Sequence, residues 1–186
     1  MKTFEIRIVN KHLVFEDEGK VILVDTGAPV TFMREGNELE FMGRVFRCNL
    51  SPMEMMRKVM GLPEMPKLPG MPSFESVMSS MAGSMPEMQG MAGMAGTDPV
   101  KYLDGASKFI GEQVDVMMGT DVLENYRLLV DYEGKTLTFY EKWDEVDFEG
   151  TNELPLTKSM DGHIGIEATV CGKRVNFAVD TGAVIQ

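Results

Sequence analysis

The chain has 186 residues, a formal net charge of −11 and an apolar content of 44%, so it can form one large core or two small ones. The strong negative charge argues against a nucleic-acid partner, because phosphate contacts need lysine and arginine. No apolar run reaches the length of about 18 residues that a membrane span requires. The charged N-terminus does not fit a signal peptide, and we therefore expect a cytoplasmic protein.

Cysteine and histidine are too few to indicate a disulfide framework or a metal centre. The two cysteines, Cys48 and Cys171, are expected to be free and partly buried thiols. His12 and His163 fit no zinc-ligand spacing and no recognisable nucleophile motif. We therefore interpret both histidines as surface or structural residues and predict no metal and no cofactor.

The first part of the chain reads as a series of strands. Apolar residues alternate over residues 4–9 and continue over residues 13–15. The short, β-branched run of residues 21–24 predicts a buried strand, and it ends in Asp-Thr-Gly at residues 25–27. Because Gly27 lets the backbone turn sharply, the sequence predicts a carboxylate presented at the end of a buried strand. Further strands are predicted at residues 30–33 and 39–48.

Residues 51–100 differ from the rest and hold most of the methionines and prolines. Short helices are possible at residues 53–60 and 73–81, but the frequent Pro and Gly predict a mobile insertion. Methionine recurs every third residue over much of residues 78–94. Thioethers are soft ligands that suit Cu(I), so a copper-binding or interaction role is one alternative. The other is an adaptable apolar segment that covers a groove or contacts a partner.

Order is predicted to return near Lys101. Residues 114–123 contain two apolar residues and a glycine, Met117-Met118-Gly119, which predict a buried strand followed by a short helix. A strand hairpin follows at residues 126–140, and an acidic connector at residues 143–155. We therefore place a first unit at residues 1–145, and a connector with the start of a second unit at residues 146–186.

The second unit repeats the opening plan of the first. An ungapped shift of 155 positions sets residues 13–15 over 168–170 and residues 24–28 over 179–183. Both 24–28 and 179–183 read Val-Asp-Thr-Gly-Ala, and each closes a strand-like run. Two such copies indicate an internal repeat.

This duplicated Asp-Thr-Gly motif resembles that of the aspartic proteases of the pepsin and retropepsin group, and the Ala after Gly is more similar to the retropepsin form. The resemblance implies an all-β fold of two related lobes, with the insertion in the first lobe and only the first strands of the second present. It implies an aspartic endopeptidase that acts on a peptide or protein substrate. The implied site consists of six residues: Asp25 and Asp180 as the catalytic pair, with Thr26, Gly27, Thr181 and Gly182 in support.

The resemblance also implies how the supporting residues act. Thr26 and Thr181 would hydrogen-bond across the junction of the two lobes, and the glycines would leave N–H groups free to hold the carboxylates. The resemblance further implies that residues 21–24 and 116–118 are buried strands lying side by side near Asp25. We expect the two aspartates to come within hydrogen-bonding or one-water range. Apolar residues such as Ile166, Val170 and Phe177 are expected to dock the second unit on the first.

Two other readings of the site stay open. A non-catalytic member of the same fold would keep the cleft and bind a peptide or partner without cleaving it. A homodimer could pair Asp25 with Asp25 of a second chain, as retropepsins pair single lobes. The second motif makes that pairing unnecessary, so we expect this chain to be part of a longer, two-lobed protein.

Overall fold

The computed structural model describes residues 1–50, 54, 98–144, 154–158 and 163–183. These residues form mostly strands with few helices, and the predicted all-β fold class is confirmed. In chain order the elements are β1 (Lys2–Val9), β2 (His12–Asp17), β3 (Lys20–Val24), β4 (Phe32–Met33), β5 (Glu38–Phe41), β6 (Arg44–Arg47), α1 (Pro99–Ile110), β7 (Val116–Met118), α2 (Thr120–Leu123), β8 (Tyr126–Asp131), β9 (Thr136–Glu141), β10 (Leu156–Lys158), β11 (Ile164–Val170) and β12 (Lys173–Ala178).

Seven strands form one sheet in the order β4-β7-β3-β2-β1-β9-β8. β1, β2 and β3 pair as an antiparallel meander, and β7 then pairs parallel to β3 and antiparallel to β4. β7 therefore lies between two strands that the first Asp-Thr-Gly loop connects. The prediction that residues 21–24 and 116–118 lie side by side is confirmed by this parallel pairing.

The central strands are buried on both faces, which explains why residues 21–24 are uniformly apolar. Ile22 and Val24 face the core that contains Phe4, Phe15, Phe41 and Phe139, here called the aromatic core. Leu23 faces the opposite core, which α1 covers. The Asp-Thr-Gly loop thus leaves the sheet from a strand that is buried on both faces.

The helix α1 was not predicted, although its ends carry ordinary signals. Asp98 caps the N-terminus by accepting a hydrogen bond from the N–H of Val100 at 3.0 Å, and Pro99 opens the first turn. Gly111 ends the helix in the left-handed conformation, with φ of 85°. Leu103 and Ile110 bury one side of the helix against the sheet. The insertion predicted to end at residue 100 thus overlaps the first turn of α1.

The other predictions for the insertion, its mobility and its short helices, lie outside the described residues. The same holds for most of the acidic connector. Neither Cys48 nor Cys171 forms a disulfide, and their burial differs: Cys48 is buried and Cys171 is exposed in the β11–β12 turn.

The second unit is a small antiparallel sheet in the order β10-β11-β12. The 155-position shift aligns Ile22 with Phe177 and Phe15 with Val170. Ile22 and Phe15 are buried, whereas Phe177 and Val170 are about half exposed. The expectation that Val170 and Phe177 dock the second unit on the first is therefore wrong. These side chains lie on the face that corresponds to the aromatic core of the first unit.

Gly119 allows the close approach of β7 to the first motif loop. The N–H of Asp25 donates to the carbonyl of Met118 at 3.0 Å, and the N–H of Thr120 donates to the carbonyl of Ala28 at 2.8 Å. A Cβ on Gly119 would lie 2.5 Å from the carbonyl oxygen of Val30. Because that neighbour is backbone, it cannot move aside without displacing the loop.

We expect Gly119→Ala to lower the free energy of unfolding by about 1–3 kcal/mol, because the added methyl group overpacks the loop. Gly105→Ala is the matched control: it is the same change inside α1, where a Cβ would meet no atom within 4 Å. That control should raise the free energy of unfolding by about 0.5–1 kcal/mol through helix propensity. Denaturant unfolding of the two variants measures both values. Equal effects of the two substitutions would contradict the close approach at Gly119.

Candidate functional site

The first motif loop holds the carboxylate of Asp25 at the C-terminal end of β3. The N–H of Gly27 donates to Oδ1 of Asp25 at 2.8 Å, so the loop binds its own carboxylate. Only 9% of Asp25 is exposed. The predicted carboxylate at the end of a buried strand is therefore present in the fold.

The second motif loop has the same internal geometry. The N–H of Gly182 donates to Oδ1 of Asp180 at 2.8 Å, matching the contact in the first loop. The strand pair before it is anchored by the N–H of Val179, which donates to the carbonyl of Ile164 at 2.8 Å. Asp180 is exposed whereas Asp25 is buried, so the two carboxylates lie in unequal environments.

The two loops are joined by reciprocal threonine hydrogen bonds. The N–H of Thr26 donates to Oγ1 of Thr181 at 3.0 Å, and the N–H of Thr181 donates to Oγ1 of Thr26 at 2.9 Å. Each hydroxyl then donates across the junction, Thr26 to the carbonyl of Val179 at 2.7 Å and Thr181 to that of Val24 at 2.9 Å. Residues 155 positions apart are thus held in a nearly symmetrical arrangement. These polar contacts join the second unit to the first, together with His12 and an ion pair between Lys158 of β10 and Glu124.

The motif glycines make room for the opposite carboxylate. A Cβ on Gly27 would lie 2.5 Å from Cγ of Asp180, and a Cβ on Gly182 would overlap the carboxylate of Asp25 in the same way. Each carboxylate therefore packs on the backbone of the other loop. Glycine at both positions is required by this contact.

The electrostatics of Asp25 reflect burial and the neighbouring carboxylate. Burial raises the pKa of Asp25 from its ordinary 3.8 to about 6, and the charge of Asp180 and a hydrogen bond with it act in the same direction. The N–H groups of Gly27 and Ala28 act against this rise because they favour the ionised carboxylate. The expected approach of the two aspartates is thus present, and Asp25 keeps its proton at mildly acidic pH.

A cavity of about 450 Å³ opens beside Asp25, between α1 and the central strands. Leu23 and Met117 contribute to its wall from the sheet, and Asp25 and Gly182 contribute from the two loops. The remaining described lining residues are His12, Lys101, Tyr102, Gly105, Ala106, Phe109 and Ile110. Sequence reasoning predicted none of the α1 residues at the site, because nothing local connects them to residues 25 or 180.

Tyr102 is the α1 residue most affected by the carboxylates. Burial raises the pKa of its phenol, and the charges of Asp25 and Asp180 raise it further. Its ring lies 5.4 Å from that of Phe32, measured between centroids. The neutral hydroxyl therefore lies within the electric field of the pair.

His12 is buried and serves to link the two units. Its Nδ1 lies 2.8 Å from the carbonyl oxygen of Asn10, and its Nε2 lies 3.1 Å from that of Gly182. The ring also packs edge-on against Phe109, with 5.1 Å between centroids. These contacts agree with the structural role that we inferred from the sequence, although the sequence gave no indication of proximity to the site.

The described part of the chain contains no group of three or more His, Cys, Asp or Glu side chains that could hold a metal ion. In the same residues no helix is long and apolar enough to cross a membrane. The methionines that suggested Cu(I), those of residues 78–94, lie outside the described residues. Comparisons with family models, with curated proteins and with solved structures found no match.

Proposed function

We propose that the two Asp-Thr-Gly loops form the site of an aspartic endopeptidase, with Asp25 and Asp180 as its catalytic pair. The observation that carries the proposal is the reciprocal exchange of hydrogen bonds between Thr26 and Thr181. This exchange holds two carboxyl groups against each other at the mouth of a cavity. If Asp25 and Asp180 each stabilised only its own turn, the two loops would not need to exchange hydrogen bonds.

The unequal environments of the pair support a division of roles. Peptide hydrolysis without a metal or a covalent intermediate needs an activated water and a polarised carbonyl. With its pKa raised to about 6, Asp25 holds a proton that it can give to the carbonyl oxygen of the substrate. Asp180, which faces solvent, would take a proton from the attacking water. The gem-diol formed in this way then collapses: Asp180 gives its proton to the leaving amine nitrogen as the C–N bond breaks, and Asp25 takes a proton back from the gem-diol hydroxyl, which restores the starting state.

The surroundings of the pair supply the other requirements. The N–H groups of Gly27 and Gly182 fix the orientation of each carboxylate, so little reorganisation accompanies proton transfer. The cavity beside Asp25 has room for part of a peptide. No cofactor enters this chemistry.

The experiment is cleavage of a mixture of peptides of varied sequence, followed by mass spectrometry, at a pH just below the Asp25 pKa of about 6. We expect cleavage at defined bonds. Saturable binding of the same peptides without any cleavage would favour the non-catalytic, peptide-binding alternative. Absence of both would contradict the proposal.

A further inference from the structure

The two motif loops differ in how their own unit supports them. In the first loop, the N–H of Asp25 donates to the carbonyl of Met118, and the carbonyl of Ala28 accepts from the N–H of Thr120. The segment that begins with β7 thus holds both ends of that loop. In the described part of the chain, β12 is an edge strand, and no strand takes the place of β7 beside the second loop. The second loop therefore depends more on its contacts with the first unit.

His12 of the first unit makes one such contact, at Gly182. Its Nε2 lies 3.1 Å from the carbonyl oxygen of Gly182. The N–H of the same glycine donates to the carboxylate of Asp180 at 2.8 Å, and a Cβ on it would overlap the carboxylate of Asp25. A displacement of Gly182 would therefore disturb both carboxyl groups. His12 thus acts on the pair through a single residue.

Both ring nitrogens of His12 face hydrogen-bond acceptors. Besides the Nε2 contact, Nδ1 lies 2.8 Å from the carbonyl oxygen of Asn10. A neutral imidazole has one N–H and satisfies only one of these carbonyls, whereas an imidazolium donates to both. In the neutral ring, the remaining nitrogen would direct a lone pair at a carbonyl oxygen. Because only 3% of His12 is exposed, solvent does not readily replace the lost partner, so the geometry favours the protonated ring.

The charges around His12 are compatible with an imidazolium. Asp25 lines the same cavity, and Asp180 lies two residues before the glycine that His12 contacts. From α1, Lys101 and the neutral Tyr102 line that cavity as well. Two carboxyl groups that share one proton carry one negative charge, which compensates the charge of the ring.

We propose that His12, as an imidazolium, is a positioning residue that holds the second motif loop in its catalytic arrangement, and that loss of its proton loosens that loop. The inference rests on the proposed peptidase function. It adds a pH-dependent control of the same site by a residue outside both motifs. The control acts on one loop, because the 155-position shift places Glu167 (12 + 155) at the equivalent position of the second unit.

The test compares two amide replacements of His12. The amide nitrogen of glutamine can take the place of Nε2 and donate to Gly182 at any pH, whereas that of asparagine can take only the place of Nδ1. At a pH just below the Asp25 pKa of about 6, His12→Asn should lower kcat/KM by about 10- to 100-fold, mainly through kcat, because a displaced loop misplaces the carboxyl groups. His12→Gln should lower it by about 3-fold or less.

His163→Asn is the matched control, since it makes the same change at the other histidine of the chain, which lies outside both motif loops and does not line the cavity. It should leave kcat/KM unchanged. Equal losses in His12→Asn and His12→Gln, or no loss in either, would overturn the positioning role.

A second measurement does not depend on cleavage. It uses the Asp25→Asn chain, in which residue 25 cannot titrate. As the pH rises and the ring nitrogen signals of His12 record the loss of its proton, the carbonyl carbon signal of Gly182 should move with the same midpoint. Adding His12→Gln should abolish that step.

This titration separates the two proposals. If the unmodified chain cleaves no peptide, the proposed function fails, while the Gly182 signal still decides the role of His12. A Gly182 signal that does not follow the loss of the proton, or one that moves equally in His12→Gln, would overturn the inference.

Discussion

Replacing Asp25 or Asp180 with asparagine, one at a time, is expected to lower peptide cleavage by about 10²- to 10⁴-fold. Asparagine keeps the shape of the side chain and can still accept the hydrogen bond from the N–H of Gly27 or Gly182. It cannot exchange a proton. In the proposed mechanism one carboxyl group donates to the substrate while the other accepts from water, so neither can replace its partner. The measurement is kcat/KM for a single cleaved peptide.

Asp131→Asn is the control for this pair of variants. Asp131 also accepts a hydrogen bond from a backbone N–H, that of Gly134 at 2.8 Å, but it is the exposed last residue of β8. Its replacement should leave cleavage unchanged. If Asp180→Asn cleaves normally while Asp25→Asn does not, the two-loop pair is wrong, and a homodimer pairing Asp25 with Asp25 takes its place.

The second prediction with a large expected effect concerns the stability of the Asp25→Asn variant. We expect Asp25→Asn to raise the free energy of unfolding at pH 7 by about 3 kcal/mol, the value that corresponds to the rise of the Asp25 pKa from 3.8 to about 6. With the pKa raised in the folded state, the folded chain binds the proton more tightly than the unfolded chain does. Stability is therefore greatest below pH 3.8 and is lost as the pH rises through about 6. Asparagine removes this loss because it never ionises.

The pH dependence separates this effect from a general change in packing. The gain in Asp25→Asn should be full above the raised pKa and absent below the ordinary one, as measured by denaturant unfolding at several pH values. A gain of equal size at every pH would contradict ionisation as its cause.

The parts of the site that could be predicted from the sequence are those encoded locally. The apolar run of residues 21–24 predicts a strand by composition, and the glycine of each motif predicts a sharp turn. Repetition of the motif then relates Asp25 to Asp180 across 155 positions. The parallel neighbour, β7, was found through Met117, Met118 and Gly119, which also form a local pattern.

The parts that were missed depend on contacts between distant residues or on competing signals. Asp98, Pro99 and Gly111 mark the ends of α1, but the Pro- and Gly-rich composition before it obscured the start of the helix. The place of Tyr102 beside the aspartates follows from how α1 packs, which no local pattern records. The contact of His12 with Gly182 joins residues 170 positions apart.

The wrong prediction that Val170 and Phe177 dock the second unit on the first also has a physical cause. Val170 and Phe177 are apolar, and burial of apolar side chains is the usual way to join two units. In the fold these residues lie on the face equivalent to the first unit's aromatic core. The units are instead joined through hydrogen bonds of the motif loops. An apolar pattern predicts that a face is buried, but it does not identify the surface that buries it.

The most direct test of the central claim, that Asp25 and Asp180 act as one coupled pair, is a carbon NMR titration of the Asp25 carboxyl group. In the unmodified chain the midpoint should lie near the pKa of about 6. In Asp180→Asn it should move toward lower pH, because the neighbouring negative charge is gone, and it should stay above 3.8 because the group remains buried. A midpoint near 3.8 in the unmodified chain, or one that Asp180→Asn leaves in place, would contradict the coupled pair.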